Sequence, residues 1–229
     1  MSAPGSSSVP GGPAPLSAPR PPGGGADEHP NTATPGDAGW VLAVPAGGIL
    51  LVAGIPGAGK STLIQRVFPA DPTADLPAGA GSGPVVLDSA QVRALLARRL
   101  GRIPYVLYRP VVHTVHYWRI AAWTVGPRRD LVIHECGTRT WARRTVALLA
   151  RIRGRPAYLV FLETPPAAAL AGQHQRGRVV PHRSFQRHER SAERMRTALR
   201  NGSLTAEGWA CARGITRDEA ARLTRISFD

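Results

Sequence analysis

From Trp40 onward, short apolar runs alternate with longer stretches whose apolar positions recur every three or four residues. GILLVAGI (48–55) is apolar almost throughout, the pattern of a strand covered on both faces, and STLIQRVF follows it with helical spacing. PVVLD (84–88) predicts a second strand and AQVRALLARRL a helix, with a further helix from about Val111 to Trp123. DLVIHE (130–135), a helix from about Trp141 to Ile152, and AYLVFLE (157–163) continue the alternation. After Gly208, WACARGI and TRDEAARL are expected to add a fifth strand and a closing helix. Strands alternating with helices bury their apolar faces best as a parallel sheet between two helical layers. The expected fold is therefore α/β, a three-layer sandwich around five parallel strands.

Two stretches interrupt the rhythm. PADPTADLPAGAGSGP (69–84) is too rich in Pro, Gly and Asp for a regular element and predicts a surface loop. GQHQRGRVVPHR (172–183) is basic and leads into a helix over 183–200. There Phe185, Ala192, Met195 and Leu199 form one stripe, expected in the core, and Arg183, Arg187, Arg190 and Arg194 form another. The arginine stripe is either a solvated face or a track for phosphates. Ahead of Trp40, twenty-one of residues 1–25 are Ser, Pro, Gly or Ala, which bury too little apolar surface to offset ordering entropy. Residues 1–38 are expected to be a disordered tail and 39–229 the folded domain.

Charge changes the picture in the second half. Residues 1–89 carry three basic and six acidic side chains, residues 90–229 twenty-six and nine, so the second part alone has a net charge of +17. Such a surface suits an anionic partner, a polynucleotide or clustered phosphates, unless arginine is simply abundant for reasons of coding. Two cysteines are too few for a disulfide framework. No apolar run approaches the roughly 20 residues of a membrane span, so no membrane partner and a cytoplasmic setting are expected.

Of the 29 cationic side chains only Lys60 is a lysine. It lies in GIPGAGKST (54–62), which satisfies G-x-x-x-x-G-K-S between a strand and a helix. Glycines let the backbone curl so that its amides, with the positive end of the helix, hold phosphate oxygens. Gly54, Pro56, Gly57, Ala58, Gly59, Lys60, Ser61 and Thr62 are accordingly the expected nucleotide cradle. Lys60 supplies a compact charge to the terminal phosphates, which a planar guanidinium would not, and the Ser61 hydroxyl is expected to hold Mg²⁺. ATP and Mg²⁺ are the cofactors implied.

Absences narrow the class. With its one lysine already placed the chain has no N-K-x-D for guanine, it has no L-S-G-G-Q, and the third strand ends in HEC rather than an Asp-Glu pair. GIPGAGKST, VVLDSAQVR, LVIHECGTRTWARR and HQRGRVVP, in this order over roughly residues 45–200, resemble the polynucleotide-kinase-like branch of P-loop kinases, which includes zeta-toxin-type enzymes. The resemblance implies a kinase-type strand order, a basic helical lid over about 172–200, and transfer of the ATP γ-phosphate to a hydroxyl.

It also implies roles. Asp88 is the matching candidate for the general base and Arg93 for holding the acceptor. The family more often carries its acid three residues before that arginine, where this chain has Ala90, so Glu135 or no discrete base remain alternatives. Glu135, at the carboxyl end of a strand where such sheets gather their chemistry, is expected to serve Mg²⁺, directly or through water, or the acceptor. Its neighbours His134 and Cys136 are expected to be packing residues, and Thr138 and Arg139 to approach the acceptor. Arg176 and Arg178 match the lid arginines that stabilise transferring charge. His113, His116 and Tyr117 share a helical face without partners for a metal. RNA, DNA, a nucleoside or a small molecule all fit as acceptor, and a nucleotide-gated nucleic-acid-binding ATPase without kinase activity is the alternative.

Overall fold

The structure, a computed structural model, describes residues 39–68, 83–137, 139–175, 177 and 179–229. The expected tail, most of the expected loop at 69–84, Thr138, Arg176 and Arg178 lie outside the described residues.

Five strands form a parallel sheet in the order β3-β4-β2-β5-β6. They are β2 (Ile49–Gly54), β3 (Val85–Asp88), β4 (Leu131–His134), β5 (Ala157–Glu163) and β6 (Cys211–Thr216). The four apolar runs and the fifth strand thus form within two residues of their expected limits. β2 is buried along its whole length because β4 and β5 flank it and helices cover it. Ile49, Leu50, Leu87, Ile133 and Phe161 from these strands sit at the centre of the main core.

The helices are α1 (Lys60–Val67), α2 (Ser89–Leu100), α3 (Tyr105–Val125), α4 (Thr140–Ile152), α5 (Pro166–His174), α6 (His182–Arg200), α7 (Ser203–Ala206) and α8 (Arg217–Arg222). Right-handed crossovers put α1 on one side of the sheet and α3, α4 and α6 on the other. The apolar stripe of α6 enters the core through Phe185, Ala192 and Met195, and its four-arginine stripe is exposed, as the opposite side of an amphipathic helix must be. Among the described residues no helix is long and apolar enough to cross a membrane.

Two features depart from the expected elements. α3 begins at Tyr105, six residues before Val111, and runs through Pro110. That proline lies in the second turn, where it forfeits one backbone hydrogen bond near an end already short of partners. The chain end also differs. TRDEAARL yields only the six-residue α8, fixed at its start by a reciprocal Thr216–Glu219 capping box, and then extends as β7 (Leu223–Phe228). β7 pairs in parallel with β1 (Trp40–Val44) as a separate two-stranded sheet. Trp40 ties the two ends together by donating its ring N–H to the Glu219 carbonyl at 2.8 Å.

Candidate active site

β2 and β4 are neighbours, but the chain leaves their carboxyl ends toward opposite faces of the sheet. A crevice opens there, the position at which such sheets bind ligands. Backbone bonds pin its two lips together: Glu135 N–H donates to Val52 O at 3.3 Å and Gly54 N–H to Cys136 O at 3.1 Å. The β2 lip continues as the glycine loop 54–59, and the β4 lip carries Glu135.

The loop is shaped from behind. Gly57 has φ 93°, and a Cβ there would lie 2.0 Å from the Ala169 carbonyl of α5, so only glycine lets the loop approach that helix. Gln173, 3 % exposed, donates to Pro56 O at 2.9 Å and accepts from Val180 N–H at 2.9 Å, tying the loop to the segment before α6. Thr164 donates to Ala58 O at 3.3 Å. The Lys60 ammonium is buried inside the curl, donating to Gly54 O at 2.7 Å and Ile55 O at 3.1 Å, while Ser61 and Thr62 open α1 with exposed side chains.

A cavity of about 230 Å³ lies on the β4 side of the loop, lined by Lys60, Ser61, Ser89, His134, Glu135 and Cys136 together with His113 and His116 of α3. A second, of about 170 Å³, lies on the other side, between α1 and α8, with Thr62, Arg66 and Arg217 on its walls. Gly59 borders both. Arg66 fixes the second by donating to the Ala220 carbonyl and, at 2.9 Å, to that of Leu223.

Glu135 is held rigidly: Tyr117 Oη donates to its Oε1 at 2.6 Å and Gly137 N–H to its Oε2 at 2.7 Å. Burial, then the Glu135 charge and hydrogen bond, push the Tyr117 hydroxyl above its ordinary range. The Cys136 thiol is pushed up to about 11, chiefly by burial and secondarily by Glu135, so it stays protonated near neutrality. His116 is 1 % exposed with neither ring nitrogen bonded among the described residues, and burial lowers its pKa to about 4. Burial and the Arg139 and Arg109 charges lower His113 as well. The imidazole wall on α3 is therefore neutral.

Asp88 is not among the residues that line the cavity, though its neighbour Ser89 and its partner His134 are. Its Oδ1 caps α2 by accepting from Ala90 N–H at 2.8 Å, and its Oδ2 meets His134 Nδ1. Burial alone would raise this carboxyl, but the His134 hydrogen bond and charge and the Ala90 amide pull it down to about 2. Arg93 is also not among the lining residues; its exposed guanidinium lies 4.5 Å from the centre of the Tyr105 ring. The arrangement thus brings Lys60, Ser61 and Glu135 to one cavity whose lining does not include Asp88 or Arg93, while Arg176 and Arg178 lie outside the described residues. His134, expected as a packing residue, is at the cavity wall. Tyr117 and Gln173 were not legible as site residues, because their partners lie 18 and 117 positions away. No group of three or more His, Cys, Asp or Glu side chains suited to a metal exists among the described residues.

Residues 49–201, the whole span from β2 through α6, match the profile of a family described as an AAA domain. The chain belongs to this family. Within it, the glycine loop and the strand order mark this AAA domain as P-loop kinase-like. A solved structure from the PezAT chromosomal toxin-antitoxin system of Streptococcus pneumoniae shares the fold, with a TM-score of 0.51 at 15% identity over 77% of this chain and 69% of that one. A gluconokinase from Sinorhizobium meliloti 1021 aligns with a TM-score of 0.42 at 15% identity, over 79% of this chain and 89% of its own. No curated protein sequence matches significantly.

Proposed function

We propose that the protein is an ATP- and Mg²⁺-dependent phosphotransferase that moves the γ-phosphoryl group to a hydroxyl of a polynucleotide, nucleoside or small-molecule acceptor. The observation that carries this reading is the pair of cavities meeting at Gly59, one on each side of the phosphate loop. A hydrolase needs only water beside the terminal phosphate; a second, side-chain-lined chamber gives room for an organic hydroxyl. The residues fit a nucleotide: a Cβ added at Gly59 would meet nothing nearer than Arg217 Nε at 4.0 Å, and the loop's one ammonium is already buried in the curl.

In this reading the loop amides and Lys60 hold the triphosphate, with Thr62, Arg66 and Arg217 walling the nucleoside side. Ser61 Oγ would hold the metal, and Glu135, already braced by Tyr117 and Gly137, would serve it directly or through water. When bound, Mg²⁺ neutralises charge on the β- and γ-phosphate oxygens. Arg176 and Arg178 are proposed to close over the transferring group. Arg93 would serve the acceptor only by leaving the Tyr105 ring.

The exposed arginine stripe of α6 favours a second reading, in which ATP only sets the conformation of a nucleic-acid-binding ATPase. Incubation with γ-labelled ATP, Mg²⁺ and a panel of nucleosides, 5′-hydroxyl oligonucleotides, sugars and sugar nucleotides separates the two. Label on an acceptor is the expected result. Hydrolysis alone across the panel, with oligonucleotide affinity falling steeply with salt, would establish the second reading instead.

A further inference from the structure

β3 and β4 run in parallel register with Asp88 opposite His134. This pairing, between residues 46 apart in sequence, sets the Nδ1 edge of the imidazole against Asp88 Oδ2. The other carboxylate oxygen is committed to Ala90 N–H at 2.8 Å and to the Ser89 hydroxyl at 3.4 Å. Asp88 thus serves as a helix cap and a partner for one ring, and of the two only His134 is among the residues lining the cavity with Lys60 and Ser61. An imidazole whose Nδ1 meets a carboxylate carries its proton there, which leaves Nε2 with a free lone pair.

The geometry points to His134, not Asp88, as the group that meets the acceptor hydroxyl: Nε2 accepts its hydrogen bond, while Asp88 is a positioning residue that fixes ring and tautomer. This inference rests on the phosphotransferase reading and names the proton's destination within it. The acceptor oxygen's lone pair forms the new bond to the γ-phosphorus. The bond from that phosphorus to the β–γ bridging oxygen breaks, and ADP leaves with the electron pair. The hydroxyl proton passes to Nε2 and then to solvent, while Asp88 stays ionised throughout.

The surroundings are consistent with that assignment. From α3, the buried His116 ring and Arg119 approach the pair; from α1 comes Lys60, and from the end of β4 comes Glu135. Arg119 is engaged with Gln91 Oε1 at 3.0 Å and Glu135 with Tyr117 and Gly137, so neither competes for the Nε2 edge. The arrangement has the logic of a carboxylate orienting a histidine that in turn contacts the reacting hydroxyl.

Two substitutions test it. Asparagine caps a helix as well as aspartate does, so Asp88→Asn keeps α2 but presents an amide donor to Nδ1 and favours the other tautomer. His134→Gln removes the ring. Long-range ¹⁵N–¹H NMR on the histidine rings is expected to show His134 protonated at Nδ1 in the wild type and at Nε2 in Asp88→Asn. With Mg-ATP, and water as the probe acceptor, both variants should lose roughly 10²-fold in turnover, with ATP affinity by calorimetry unchanged and Asp88→Asn, though less stable than wild type, still melting as a cooperatively folded protein. Wild-type turnover in both variants, or an Nε2-protonated His134 in the wild type, overturns the proposal. A wild-type protein that neither hydrolyses ATP nor phosphorylates any acceptor instead sinks the reading beneath it, and the tautomer then judges the pair on its own.

Discussion

The two cavities beside the glycine loop are built from different chemistry. The chamber between α1 and α8 is walled by alkyl surface and by Arg66 and Arg217, cations at every physiological pH. The chamber toward β4 presents three histidines, a thiol held protonated and a braced carboxylate, with Lys60 on the wall they share with the loop. Permanent positive charge suits a ligand whose phosphates never change their sign. Groups that accept, donate or release protons suit the side where a hydroxyl must lose one. Under the proposed phosphotransferase reading, this difference would give the site a direction, with the nucleotide entering from one side and the acceptor from the other.

The comparison breaks most completely at the partition. Gly57→Ala places a Cβ at positive φ and 2.0 Å from the Ala169 carbonyl. Strain and displacement together cost about 3 kcal/mol or more, so ATP affinity should fall at least ~100-fold, which calorimetry reads directly.

A second test uses pH. His116 binds a proton at about 4 when folded against an ordinary 6.5, so below pH 6.5 the unfolded chain takes up a proton that the folded one refuses. Stability is therefore lost as pH falls from 6.5 toward 4 and levels off below. The loss is on the order of 3 kcal/mol. His116→Leu should remove much of that loss, leaving the decline that the lowered pKa values of His113 and His188 contribute in the same window. The separate decline from Asp88, whose folded pKa of about 2 lies below its ordinary 3.8, should survive between about pH 4 and 2. An undiminished upper decline in the variant would show that His116 is not a neutral imidazole in the folded protein.

Smaller effects distinguish the two sides from each other. Arg66→Ala removes one bond to an α8 carbonyl and one to the first carbonyl of β7 and should cost about 1–3 kcal/mol, read as a lower Tm with weaker ATP binding. Tyr117→Phe removes one donor from Glu135 and should lower turnover by about 5- to 10-fold, with ATP affinity intact. An ATP affinity sensitive to Tyr117 and indifferent to Arg66 would reverse the assignment of the two chambers.

The glycine loop was legible because its chemistry is local: nine consecutive residues between a strand and a helix hold every group required. The strands were legible because burial on both faces imposes continuous apolar runs. What escaped depends on pairing across long separations. β7 follows a short helix in RLTRISFD, and only β1, some 180 residues earlier, gives it a reason to be extended. His134 reads from sequence as an alternating strand residue, and only the β3–β4 register discloses Asp88 beside it. Asp88 reads from sequence as a candidate general base, and spacing alone does not show that its Oδ1 caps a helix and its Oδ2 meets a histidine.

The central claim is that the single lysine exists to grip the terminal phosphates of a nucleotide. Isothermal titration of Mg-ATP into the wild type and Lys60→Met is its most direct test. A charge-assisted contact of this kind is worth about 1.5–3 kcal/mol, so the variant should bind roughly 10- to 100-fold more weakly while melting as a folded protein. An unchanged Kd in the folded variant would contradict the claim and, with it, the assignment of both chambers.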